Sequence, residues 1–133
     1  MLIRRLALLM ALAWMALLFF LSHQTGLQTP SLFSGQDKVV HALVYGLLGV
    51  LLLLSQSPRA EGYRWRQIAA SMAVASLYGV TDELHQAFDP GRNADPWDWI
   101  ADMIGAIVAV LLTAWLVRRH RQLKPAASHS VNQ

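Results

Sequence analysis

The stretch YGVTDELHQAFDPGRNADPWDWIAD, residues 78–102, decides how the chain is read. Six of the eight acidic residues fall inside it, at Asp82, Glu83, Asp89, Asp95, Asp98 and Asp102. Apolar segments flank it on both sides. Of the 133 residues, 55% are hydrophobic and only 14% charged, whereas soluble domains are about a quarter charged. That shortfall, with several long uncharged runs, predicts an all-α membrane protein of one domain. There is no cysteine, which excludes a disulfide framework and thiol chemistry.

Within the stretch, Pro90-Gly91 marks a turn. Pro96 suits the first turn of a helix, with Asp95 as its cap. The stretch therefore reads as one helix end, a short connection and the next helix start. Working outward, the third helix covers about 65–87 and the fourth about 96–117. Residues 55–66, with Pro58 and Gly62, form a polar link. A second helix runs over 37–54, beginning at Asp37, and the loop 23–36 precedes it. Leu6–Leu21 carries no charge and follows Arg4 and Arg5. A signal peptide shares those features, but no small-x-small cleavage pattern follows in residues 22–26, so a retained helix over 4–22 is expected. The four-helix domain is placed at 1–119 and a flexible basic tail at 120–133.

A membrane span needs roughly 20 residues. Ile68–Val80 is shorter, so a third span must carry Asp82, Glu83 and His85 into or near the bilayer. The fourth must likewise carry Asp98, Asp102 or both. Each charge costs about 2.5–3.5 kcal/mol at mid-membrane and less towards the interface. The basic residues predict the orientation. Arg4, Arg5, Arg59, Arg64, Arg66, Arg118, Arg119, Arg121 and Lys124 share one side of a four-helix layout, and Lys38 and Arg92 share the other. The positive-inside rule then puts both termini in the cytoplasm of a bacterial inner membrane. The same distribution disposes of nucleic-acid binding as a reading of the net charge of +3.

At 1.5 Å per residue, His41 lies about 20 Å above the inner end of its helix, Asp82 about 21 Å and Asp102 about 22 Å, within a core about 30 Å thick. Helical phase puts His41 and Tyr45 on one face. It also groups Ser71, Ala75, Tyr78, Asp82, His85 and Gln86 on the third helix, and Asp98, Asp102, Gly105 and Ala109 on the fourth. Each stripe is polar at the outer end and small below, where helices pack closely.

These side chains support several chemistries. They could simply satisfy one another, with His41 paired to Asp82 or Asp102. His41, Asp82, His85 and Asp102 form an N/O set that suits a divalent metal such as zinc or manganese, although no local metal motif is present. His41 or His85 with Asp82 or Glu83 would serve general acid–base catalysis. A serine triad lacks a nucleophile elbow, and Ser22, Ser31 and Ser34 have no special placement. Arg92 could grip a phosphate or carboxylate, or merely hold the turn.

Asp37-Lys38-Val39-Val40-His41, Tyr45, Tyr78 to Gln86, Pro90-Gly91-Arg92 and Asp98 to Ala106 together resemble the VanZ-like family of small bacterial membrane proteins. Ser22-His23-Gln24 also resembles the segment that closes the first helix there. The chain departs from the family pattern in carrying Asp102 where Asn is usual, which makes the cluster more acidic. The resemblance implies four membrane helices and an envelope role, with a link to teicoplanin-type glycopeptide resistance. Taken with the polar cluster, it leads to a protein that binds or acts on a lipid-linked or phosphate-bearing envelope component. Lys38 and Arg92 would engage the anion, with Tyr45, Gln86, Asp98 and Asp102 lining the site. His41, Asp82, Glu83 and His85 would move protons or hold an ion. The alternatives are a non-catalytic module that docks an envelope protein or confers immunity, and a small transporter subunit, for which a homodimer could form a path.

Overall fold

The computed structural model describes residues 1–23, 32–88 and 95–123. Four helices account for nearly all of them: α1 (Leu2–Ser22), α2 (Gln36–Leu54), α3 (Trp65–Ala87) and α4 (Pro96–Leu123). Three of these, α1, α2 and α4, are long and apolar enough to cross a membrane. In α3 that length is interrupted by Thr81-Asp82-Glu83 and His85.

The helix ends follow from local chemistry. α2 starts at Gln36, one residue before the expected Asp37, behind Gly35. Asp37 sits in the first turn, where a negative charge meets the positive end of the helix dipole. Asp95 caps α4 as expected, its Oδ1 accepting the Trp97 N–H at 3.0 Å. Past the expected end at Val117, α4 continues to Leu123. The reason is compositional: residues 106–124 contain neither Gly nor Pro, and Arg, Gln and Leu favour the helix. The first four residues assigned to a flexible tail, 120–123, are thus helical.

α2 is the centre of the bundle and packs against all three other helices. α1 touches α2 and α3 and has no contact with α4 among the described residues. The α2–α4 seam is made of small residues. Gly105 lies so close to α2 that a Cβ there would collide with the Ala42 backbone. Below it, Leu48, Leu51, Ala75 and Ala106 form one buried cluster, and Leu53, Val110 and Ala114 a second. Large apolar side chains cover the outside instead: Leu43, Leu77 and Val108 are all more than half exposed. A soluble protein rarely shows so much contiguous apolar surface, whereas acyl chains would cover it without cost.

Indole and phenol groups bridge the helices. Trp14 Nε1 donates to the Val44 carbonyl at 2.9 Å, and Tyr78 Oη to that of Met15 at 2.6 Å. Trp99 Nε1 donates to the Ser76 carbonyl at 3.2 Å. Polar groups surrounded by hydrocarbon must find partners inside the protein. At the other end, Gln56 Nε2 donates to Ser71 Oγ at 2.8 Å, and Arg121 reaches the Arg59 carbonyl at 2.9 Å. These bonds clamp the α2–α3 link onto α3 and α4.

Candidate functional site

The first turns of α2 and α4 and the last turns of α1 and α3 meet at one end of the bundle, and the polar residues meet there with them. Lys38 comes from the first turn of α2. Its ammonium donates to Asp37 Oδ2 at 3.0 Å, Asp95 Oδ2 at 2.8 Å and Asp98 Oδ1 at 2.8 Å. An ammonium has three N–H donors, so all three are taken. The ammonium bonded to Asp95 holds that carboxyl below the usual carboxylate range. Lys38 is therefore a buckle between α2 and α4, and its expected grip on an anion competes with three carboxylates. Arg92, its expected companion, lies outside the described residues.

One turn deeper on α2, His41 Nδ1 lies 2.9 Å from Asp102 Oδ1 of α4. Asp102 is completely buried. An ionised carboxylate only accepts hydrogen bonds, so opposite an ionised Asp102 it is Nδ1 that carries the proton. Nε2 sits 3.9 Å from Asp98 Oδ2, beyond hydrogen-bond length. A buried carboxylate thus sets the tautomer and direction of a partly exposed imidazole, an arrangement suited to general acid–base work. The Tyr45 ring lies nearly parallel to that of His41, 6.3 Å away.

Gly79 of α3 makes room for the other Asp102 oxygen. A Cβ there would stand 2.7 Å from Oδ2, and that oxygen has no hydrogen-bond partner. The inward stripe of α3 is accordingly Ser71, Ala75, Gly79, Glu83 and Gln86. Helical phase grouped Tyr78, Asp82 and His85 with Ser71, Ala75 and Gln86 instead of Gly79 and Glu83. Ser71, Ala75 and Gln86 belong to both sets, but the stripe is rotated by about half a residue step, roughly 50°, so Glu83 is buried while Asp82 stays half-buried beside α1. Glu83 Oε2 accepts the Asp95 N–H at 2.9 Å and ties α3 to the start of α4. Its Oε1 is buried without a partner.

Asp82 faces a cleft of about 170 Å³ among α1, α2 and α3, lined also by Ser22, His41, Tyr45 and Gln86. Gln86 Nε2 donates to Asp82 Oδ2 at 3.2 Å. A larger cleft of about 500 Å³ opens at the start of α2, and His41 lines both.

His85 belongs elsewhere. Its Nε2 lies 2.7 Å from His23 Nδ1 of α1, and both rings pack against Phe19. The metal set expected from His41, Asp82, His85 and Asp102 is therefore not assembled. Among the described residues no three His, Asp or Glu side chains converge as metal ligands. The rotation of α3 explains this, because it turns His85 towards α1. The structure brings together Lys38, His41, Asp98 and Asp102 on one side and Tyr45, Asp82 and Gln86 on the other.

Ser22, His23 and Gly79 are the parts of the site that sequence reasoning missed. Gly79 left a signal, the row of small residues Ser71, Ala75 and Gly79 at four-residue spacing. Ser22 and His23 stood out only within the Ser22-His23-Gln24 resemblance, and nothing in that segment points to His85, 62 residues away. No curated protein and no solved structure matched the chain. The profile of the VanZ/LLP1 family matches residues 7–118. That range contains the four-residue Lys38–Asp98 and His41–Asp102 network and nearly all of the bundle, and the chain belongs to the VanZ/LLP1 family.

Proposed function

We propose that this protein crosses the bacterial cytoplasmic membrane four times with both termini inside, and that its polar end, facing outward, binds or acts on a lipid-linked envelope component. His41 is the acid–base group and Asp102 positions it. The observation that carries this reading is the 2.9 Å contact between His41 Nδ1 and an entirely buried Asp102, which leaves Nε2 free. Burying a carboxylate at membrane depth is expensive, and such groups mark functional sites by default. The orientation rests on the order of the basic residues along the sequence, nine in the segments assigned inside and two in those assigned outside. Family membership supports an envelope role linked to teicoplanin-type glycopeptide resistance.

The reading is tested in a bacterium lacking its own copy of the protein. Cells expressing the wild type, His41→Ala and Asp102→Asn are compared for teicoplanin susceptibility and for envelope lipid composition. Both variants should reach the membrane in normal amounts and lose the wild-type effect. Full function in both would sink the acid–base reading. A reporter fused at Gln133 should be active only on the cytoplasmic side.

One observation favours the non-catalytic alternative. Leu32, Phe33, Phe88 and Trp97 all stand more than half exposed around the polar end, which suits docking of another envelope protein. That reading predicts a co-purifying membrane protein that is lost in Phe88→Ser and kept in His41→Ala.

A further inference from the structure

The cleft of about 170 Å³ beside His41 holds two polar groups that the rest of the site does not use. Tyr45 is 1% exposed and Ser22 5% exposed. Both hydroxyls line the cleft; Ser22 Oγ has no hydrogen-bond partner, and the Tyr45 hydroxyl faces the Asp82 carboxylate without a well-formed bond. Buried hydroxyls left unpaired cost free energy, so two at one cleft point to a missing partner. The third polar group is Asp82, which has Gln86 as its hydrogen-bond partner and no Lys, Arg or His within 4.0 Å among the described residues.

The occupant must therefore donate hydrogen bonds and carry no excess negative charge. A phosphate would meet the Asp82 carboxylate with no Lys or Arg in the lining to offset it. A primary ammonium offers three N–H donors and one positive charge, which matches Asp82 and the lone pairs of Ser22 and Tyr45. His41 and Gln86 complete the polar lining, while Leu18 and Leu21 of α1 and Val40 and Val44 of α2 form its apolar walls. Such walls suit the upper part of a lipid chain.

We propose that this cleft is a binding site for the primary-amine headgroup of a membrane lipid. The proposal rests on the outward placement of the polar end given above, and it adds the chemical class of the ligand. It involves no covalent step.

The test uses the full chain in nanodiscs of phosphatidylcholine doped with phosphatidylethanolamine, or with its N-monomethyl or N,N-dimethyl derivative. Lipid retained on the protein after extraction is measured by native mass spectrometry. Methylation keeps the positive charge and removes N–H donors one at a time. Retention should fall stepwise along the series. Asp82→Asn should lower retention of phosphatidylethanolamine about tenfold, the scale of one hydrogen bond to a charged group. Tyr45→Phe should lower it less. Leu21→Trp fills the cleft without touching its polar groups, and should also abolish retention if Asp82→Asn proves unstable. Equal retention of all four lipids by the wild type would overturn the proposal, as would wild-type retention in both Asp82→Asn and Leu21→Trp. Displacement by soluble ethanolamine at the lipid's concentration would overturn the lipid assignment.

Asp102→Asn separates this site from the acid–base reading, because Asp102 does not line the cleft. Lipid selectivity kept alongside unchanged cell function in that variant would reject the acid–base role and leave the amine site standing. Uniform lipid retention with lost cell function would do the reverse.

Discussion

The two ends of the bundle are built on opposite principles. Towards the basic end, α2 and α4 meet through Gly, Ala, Leu and Val, and backbone lies against backbone. At the polar end the same two helices meet through Lys38, His41, Asp98 and Asp102. The apolar half has few polar atoms to satisfy. The polar half leaves Ser22 Oγ, Tyr45 Oη, Glu83 Oε1 and Asp102 Oδ2 buried and unpartnered. A fold optimised for stability alone would not keep four such atoms together. The difference teaches that the apolar seam holds the helices in register, and that this register is what brings His41 to Asp102.

Substitutions can break or sharpen that contrast. The largest effect is expected in the seam. Gly105→Ala places a methyl against the Ala42 backbone, which cannot rotate away, and should destabilise the bundle by about 3 kcal/mol. Reversible unfolding in mixed micelles measures this, and a change under about 1 kcal/mol would mean the helices are not in such contact. By contrast, Asp102→Asn keeps the shape and a hydrogen bond to His41. It should alter stability by no more than about 1 kcal/mol while removing function.

Lys38→Met comes next. It leaves Asp37, Asp95 and Asp98 without their shared cation, and all three pairs are partly exposed. Because water screens them, the loss should be about 1 kcal/mol and should shrink in Asp95→Asn, as a double-mutant cycle would show.

The smallest effect is a pH dependence. Lys38 holds the Asp95 carboxyl below its usual range. A carboxyl with a depressed folded-state pKa contributes stability above its unfolded value, and that stability fades as pH falls through the folded one. The polar end should therefore loosen only below about pH 4. Asp95→Asn should flatten that part of the unfolding profile.

Much of the architecture was legible in the residues. Long apolar runs, Pro96 behind Asp95 and the break at Pro58 and Gly62 mark four helices closely. The rotation of α3 was harder to read. Two neighbouring stripes, one through Tyr78 and Asp82 and one through Gly79 and Glu83, both carry polar groups at the same depth. Hydrophobicity cannot choose between them. Close packing chose the stripe with Gly79, since only a residue without a Cβ admits Asp102 there. His85 then turned towards His23, and the metal set expected from four residues came apart.

By itself the sequence determined that the chain is helical and membrane-bound, and that its acidic residues gather at one end. Those properties follow from composition and period, which act within a single helix. Only the tertiary structure decided which carboxylate holds His41, what occupies Lys38 and which hydroxyls face the cleft. Those outcomes depend on helix rotation and on approach distances set by a few small residues, and a pattern within one helix does not encode its angle to the next.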